Sequence, residues 1–312
     1  MKKSVLLFGA LALVSANLYA KETLPTPVDE VVVEAEVIEV EPALRLTNIG
    51  QSLEIDNTSG GANIGEGVHF ANQVGLAYDD TWTFNLLARK TWSASTDTFI
   101  GENGKAQKGV HSNGERVELQ AMRNFDNFAV GAKWRGDENY DRFYVPTLYN
   151  FGAVSGWATP AYTFYNNGSG QNDTFYLKAE PVQLNYGPVQ LAYYFEGEKS
   201  TGNASANCMD HWFVHQARLR GTFYSNDVVT LGAEYRYQFD SDYSNRDAQN
   251  IETKYKNRKQ VVMLNASYNV TENLTIDGYY QYDFNRYHDF VNKAPMDDDY
   301  YGEFYLGWNY KF

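Results

Sequence analysis

The chain has 312 residues, a formal charge of −13, 25 tyrosines and a single cysteine, Cys208. One cysteine excludes an intrachain disulfide, so an exported chain of this kind must rely on a closed hydrogen-bond ladder or a large core. After the N-terminal apolar run no segment approaches the roughly 18 apolar residues of a membrane-spanning helix. The mean hydropathy is negative, as in a soluble domain. A transmembrane β-barrel has the same average, because its inner face and loops are polar. Its two aromatic girdles also account for an aromatic content of 16%.

Residues 1–20 read as a secretory signal peptide. Lys2 and Lys3 supply the charged start, Val5 to Val14 the apolar run, and Leu18-Tyr19-Ala20 a cleavage site. The mature chain is then expected to begin near Lys21. From Lys21 to Glu41 one base faces seven acids, with Pro25 and Pro27 among them. That composition predicts a mobile periplasmic arm over residues 21–42, and a barrel domain over 43–312.

In residues 44–56, Leu44 and Leu46 share one phase and Ile49, Leu53 and Ile55 the other, with Gly50 as the candidate bulge. A clear hairpin follows: Val68, Phe70, Val74, Leu76 and Tyr78, a tight turn at Asp79-Asp80, then Trp82, Phe84, Leu86, Ala88 and Trp92. Residues 93–114 read as a loop. Val117, Leu119 and Ala121 lead through a turn at Phe125-Asp126 to Phe128, Val130, Ala132 and Trp134. Tyr-rich strands at 141–150 and 156–165 contain Pro146 and Pro160, which interrupt a ladder. A hairpin over 173–184 and 188–196 turns at Tyr186-Gly187-Pro188.

Phe213, Ala217, Leu219 and Phe223 pair with Val229, Leu231, Ala233, Tyr235, Tyr237 and Phe239. A polar loop over 240–257, strands at 258–268 and 273–285, and a loop at 286–299 complete the run. The last strand puts Phe304, Leu306, Trp308, Tyr310 and Phe312 on one face and Glu303, Tyr305, Gly307, Asn309 and Lys311 on the other. A terminal aromatic buried in a soluble core would drag its carboxylate out of water. At a membrane surface the carboxylate stays wet.

The count is fourteen strands, with twelve and sixteen as the neighbouring even counts. Short turns alternate with longer polar connections, and strands of about 9–13 residues match a tilted bilayer crossing. Short periplasmic turns and long outer loops are the pattern of a Gram-negative outer-membrane barrel. Lys90, Arg123 and His215 fall in the outward phase. The first two lie near strand ends, where a long side chain snorkels, whereas the pattern leaves His215 unexplained.

The inward phase carries Arg89, Arg116, Glu118, Lys133, Arg135, Lys178, Glu180, Arg218, Arg220, Glu234, Arg236, Asp277 and Asp283. Isolated buried charges cost several kcal/mol each, so water or a plug must fill such an interior. With Asn124 and Asn127 flanking the turn, Glu118 is predicted opposite Lys133, and Arg116 opposite Arg135. Arg218 and Arg220, two residues apart on one face, are expected to weigh most in solute selection. The acids concentrate in the arm and at predicted loop positions such as Asp137, Glu138, Asp240 and Asp242, which read as a solvated loop surface.

The Lys-Glu start of the mature chain, its Pro/acidic arm, the Tyr-rich strands and the terminal Lys311-Phe312 resemble the fusobacterial FomA-type major outer-membrane porins. The stretch His111 to Trp134, a basic strand leading through a Phe-Asp-Asn turn to Lys133-Trp134, is similar to oligogalacturonate-specific monomeric porins. The resemblances imply passive diffusion of small polar solutes, the second an anionic sugar. They also imply outer-membrane lipid and lipopolysaccharide as surroundings, and an assembly machinery that reads Phe304, Leu306, Trp308, Tyr310 and Phe312. The competing class is an adhesin or structural barrel acting through its outer loops.

A lipid hydrolase is the third class. His111-Ser112 is its only trace, and adjacent strand residues point to opposite faces. Cys208, His211 and His215 suggest a metal only on a helix, since on a strand the two histidines stand about 13 Å apart. No catalytic residue, metal ligand, cofactor or nucleic-acid partner is expected. The oligomeric state stays open.

Overall fold

The computed structural model describes residues 44–58, 67–79, 81–100, 106–166, 170–202, 207–289 and 299–312. The signal peptide and the acidic arm lie outside the described residues. The strands are β1 (Leu44–Thr58), β2 (Gly67–Tyr78), β3 (Trp82–Ile100), β4 (Ala106–Asn124) and β5 (Phe128–Gly136). Then come β6 (Tyr140–Tyr144), β7 (Thr147–Asn150), β8 (Val154–Tyr165), β9 (Thr174–Tyr186) and β10 (Val189–Ser200). The last are β11 (Met209–Ser225), β12 (Val229–Arg246), β13 (Glu252–Asn269), β14 (Leu274–Asp289) and β15 (Asp299–Lys311).

All pairings are antiparallel. β1 pairs with β15 from Asn48↔Lys311 to Thr58↔Tyr301, which closes the ring. β6 and β7 are two halves of one stave, both lying between β5 and β8. Fifteen strands therefore build a closed fourteen-stave barrel. The break falls at Val145-Pro146, because proline has no N–H to give the ladder. Gly131 N donates to Pro146 O at 2.9 Å, and Val145 N to Pro160 O at 2.9 Å, so the wall stays joined there.

Short connections gather at one end: 79–81, 125–127, 151–153, 187–188, 226–228 and 270–273. Two show the local chemistry that makes them tight. Gly187 takes φ +55 and Pro188 fixes the next φ, as a two-residue hairpin requires. Asn226 Oδ1 accepts from Val228 N and Val229 N at 2.9 and 2.6 Å. The alternation with longer connections predicted from the sequence holds only in outline, since at the other end 137–139 has three residues and 247–251 five.

Three predicted details change. The segment 93–114 is not a loop: β3 runs on to Ile100 and β4 starts at Ala106. The segment 240–257 is mostly strand, with only 247–251 between β12 and β13. The bulge in β1 is at Thr47, where the pairing with β2 shifts between Leu46 and Asn48, and not at Gly50. That extra residue is why the two leucine and isoleucine phases share one side of the sheet.

Burial is inverted relative to a soluble protein. Phe143, Phe164, Leu191, Leu264, Phe304 and Leu306 are exposed, whereas Glu180, Asp283, Thr163, Gln238 and Ser244 are almost wholly buried. Water around such a surface would oppose folding, but lipid favours it, and the closed ladder leaves no edge unpaired. The chain is a transmembrane β-barrel of the bacterial outer membrane.

The outward polar residues have reasons. His215 Nδ1 lies 2.7 Å from the Tyr193 hydroxyl, and its ring stacks on Tyr193 and packs against Phe195 and Phe239. Lys90 Nζ pairs with Glu115 at 3.1 Å. The Arg123 guanidinium covers the rings of Trp82 and Phe125, at 5.9 and 5.2 Å.

Candidate pore lining

Arg89, Arg116, Glu118, Lys133 and Arg135 form one group on the inner side of the wall, and Lys178, Glu180, Arg218, Arg220, Glu234 and Arg236 a second. The first group is on β3 to β6. Arg89 stands directly across from Arg116, and Arg135 across from Arg142. The predicted register of β4 and β5 is off by two residues. The turn spans 125–127 and Phe125 N donates to Phe128 O, so Asn124 faces Ala129. Glu118 therefore faces Arg135, and Gln120 faces Lys133. Arg116 does not face Arg135, and on its β3 side it stands across from Arg89.

Glu118 is the acid that three of these cations share. It lies 2.6 Å from Lys133 Nζ, 3.6 Å from Arg116 Nε and 3.9 Å from Arg135 Nε. Asp137 approaches Arg135 at 3.7 Å, and Glu54 approaches Arg89 at 3.8 Å. The Nε atoms of Arg89, Arg116 and Arg135 are buried without a hydrogen-bond partner. Cations outnumber their close carboxylates, and the guanidinium groups are incompletely satisfied. Arg142, which the sequence reading did not single out, is different. It is buried, bonds Glu198 at 2.7 Å and Thr163 Oγ1 at 2.6 Å, and lies over the Tyr176 ring at 4.3 Å.

The second group is on β9 to β12 and is closely hydrogen-bonded. Glu180, 1% exposed, accepts from Arg218 Nη1 at 2.9 Å and from Arg220 Nη2 at 2.6 Å. Arg220 also reaches Glu234 at 3.2 Å, and Arg236 reaches Glu234 at 2.7 Å. Gln216 and Gln190 fill remaining donors of Arg218 and Arg220, and Gln281 accepts from Arg236. The Arg218 guanidinium lies 3.4 Å from the centre of the Tyr194 ring. Lys178 stands nearby, 6.0 Å from the same ring. A recess of about 470 Å³ opens beside this network, lined by Gln190, Arg220, Glu234 and Met263.

A third, acidic region joins β14, β15, β1 and β2. Asp56 faces Glu303, and Glu54 faces Tyr305 and His69. Tyr279 donates to Glu303, and Tyr301 does so at 3.3 Å. Asp277 and Asp283 take the inward phase of β14, Asp283 paired with Lys259. The sequence reading named neither Glu54 nor Asp56. Their i, i+2 spacing was visible, but what they face depends on the bulge at Thr47.

No protein-family description matches the chain, and no curated protein matches it in sequence. The family resemblances drawn from its residues thus find no sequence match. Solved structures similar to it include the outer-membrane expressed OmpT of Vibrio cholerae, 12% identical over 87% of this chain and 99% of that one, TM-score 0.45. An anion-selective porin from Comamonas acidovorans is 10% identical over 86% and 100%, TM-score 0.42. The outer membrane protein OprD from Pseudomonas aeruginosa is 9% identical over 86% and 93%, TM-score 0.41. The barrel assignment itself rests on this chain's own strand pairing and inverted burial.

Proposed function

We propose that the barrel is a porin: a water-filled passage for passive diffusion of small hydrophilic solutes that favours anionic ones, acidic oligosaccharides among them. The supporting observation is the lining of β3 to β5. Arg89, Arg116, Lys133 and Arg135 keep side-chain exposures of 16–23% inside the ring. Charged groups that retain accessible surface inside a closed ring need water or an anion as partner. Eight staves leave room only for side chains and sixteen leave a channel, so fourteen leave a narrow one. A lining of one charge sign raises the local concentration of the opposite ion, and salt weakens the effect.

The selective element in this account is the β3–β5 group. Arg218 and Arg220, expected from the sequence to weigh most, have their charge met by Glu180 and Glu234. A planar bilayer with a KCl gradient tests the proposal. The porin gives stepwise ohmic openings with a reversal potential on the anion side. An adhesin acting through its outer loops gives no openings, and a lipid hydrolase turns over lipid without conductance.

The terminal strand supports a second, separate role. Phe304, Leu306, Tyr310 and Phe312 are exposed on the lipid side at the closing seam. We propose that this face is read during assembly by the barrel-assembly machinery. Deleting Phe312 is expected to lower the yield of heat-modifiable folded barrel while the remaining barrels conduct normally. A normal yield would count against it.

A further inference from the structure

We infer that Glu54, Asp56 and His69 form a binding site for a first-row divalent cation, with Zn²⁺ as the probe of choice, on the inner wall between β1 and β2. Glu54 and Asp56 are two residues apart on β1, so both point inward. The Thr47 bulge sets the register that puts His69 directly across from Glu54. His69 Nε2 is 3.0 Å from Asp56 Oδ2 and 3.8 Å from Glu54 Oε1. One atom from each residue lies within 4.8 Å of the other two. Two ligands of a tetrahedral zinc with bonds near 2.0–2.1 Å stand roughly 3.3 Å apart. The two distances straddle that value.

The surroundings fit a ligand set better than an ordinary ion pair. His69 Nδ1 is held by Thr91 Oγ1 at 2.9 Å, which fixes the ring so that Nε2 meets the carboxylates. A hydrogen bond on the far ring nitrogen is the usual outer-shell support of a metal-binding histidine. Asp56 Oδ1 is buried without a hydrogen-bond partner. Gly67 keeps the approach open, because a Cβ there would sit 2.8 Å from His69 Nε2 and 3.0 Å from Asp56 Oδ2. Glu303 stands across from Asp56, and Arg89 is the only cation within 4 Å of these carboxylates among the described residues. One imidazole with carboxylates favours a borderline first-row ion, whereas Ca²⁺ demands six to eight oxygens.

His211 offers the internal control. It also has two carboxylates, but Asp210 meets Nδ1 at 2.7 Å and Asp242 meets Nε2 at 3.3 Å. Opposite ring nitrogens cannot converge on one ion.

The test is titration of chelator-stripped, folded barrel in detergent with Zn²⁺, followed calorimetrically. One ion per chain is expected. H69A and D56N should each weaken binding by about tenfold or more, a loss typical of disturbed ligation, and H211A should leave it unchanged. G67A retains all three ligands and should weaken binding by blocking the approach, with heat-modifiability reporting that it folds. Zinc-edge absorption on the unmodified barrel should show one imidazole and oxygens near 2.0 Å. The assignment is overturned by no saturable binding, by binding that survives both H69A and G67A, by loss in H211A, or by a sulfur-containing shell.

Discussion

The two basic groups of the inner wall differ in how their charge is met. On β9 to β12, Arg218, Arg220 and Arg236 interleave with Glu180 and Glu234, and glutamines fill their remaining donors. On β3 to β5, Arg116, Lys133 and Arg135 converge on one residue, Glu118, and three guanidinium Nε atoms have no hydrogen-bond partner. Equal numbers of bases can thus serve opposite ends. A closed network fastens neighbouring staves, whereas an open one leaves charge for a passing solute. Counting bases along a strand does not separate the two cases.

The largest expected effect is on stability, and it belongs to the closed network. Glu180→Ala strips the buried carboxylate shared by Arg218 and Arg220. Breaking a buried pair by removing one partner costs about 3–5 kcal/mol. A loss of that size in urea-induced unfolding from lipid vesicles is expected, and anion preference should rise in the barrels that remain folded, because Arg218 and Arg220 lose the carboxylate they share. Unfolding free energy within about 1 kcal/mol of the parent would show that the network does not hold the staves.

Next in size is the double substitution R116Q/R135Q in the open group. It removes two charges that no close carboxylate fully matches. The anion-to-cation permeability ratio near 0.1 M KCl is expected to fall by about threefold, because screening reaches only about 10 Å there. R218Q/R220Q should shift that ratio much less and lower stability more. The reverse ranking would exchange the roles of the two groups.

A smaller effect sharpens the same contrast. Glu118→Gln frees three cations at once, so anion preference should rise at low salt. The stability loss should be about 1–2 kcal/mol, below that of Glu180→Ala, because Glu118 keeps more contact with water. Reversal potentials and urea unfolding measured on the same preparation check both. A loss of anion preference in E118Q would mean that the arginines need Glu118 to hold their positions.

The barrel was legible because lipid imposes a strict rule on the outer face. Alternation at Val68–Tyr78, Trp82–Trp92 and Phe304–Phe312 had no other cause, and the regular turn spacing followed. Legibility ended where a strand loses its apolar alternation. Residues 94–100 and 240–246 extend β3 and β12 without apolar alternation, so they read as loops. Register was the other blind spot. A turn over 125–127 in place of a shorter one moved Arg135 from Arg116 to Glu118. The pairing of Arg142 with Glu198 spans 56 residues, and no local pattern announces it. Which base is neutralised depends on such distant partners, so the charged face was visible in the sequence and its balance was not.

The measurement that bears most directly on the proposed function is the reversal potential of the unmodified barrel across a tenfold KCl gradient, taken once around 0.1 M and once near molar salt. The expected result is anion preference at low salt that largely fades at high salt, as screening shortens from about 10 Å to about 3 Å. A cation-selective barrel whose preference is unmoved by R116Q/R135Q would contradict the account and leave the β3–β5 arginines as wall structure alone.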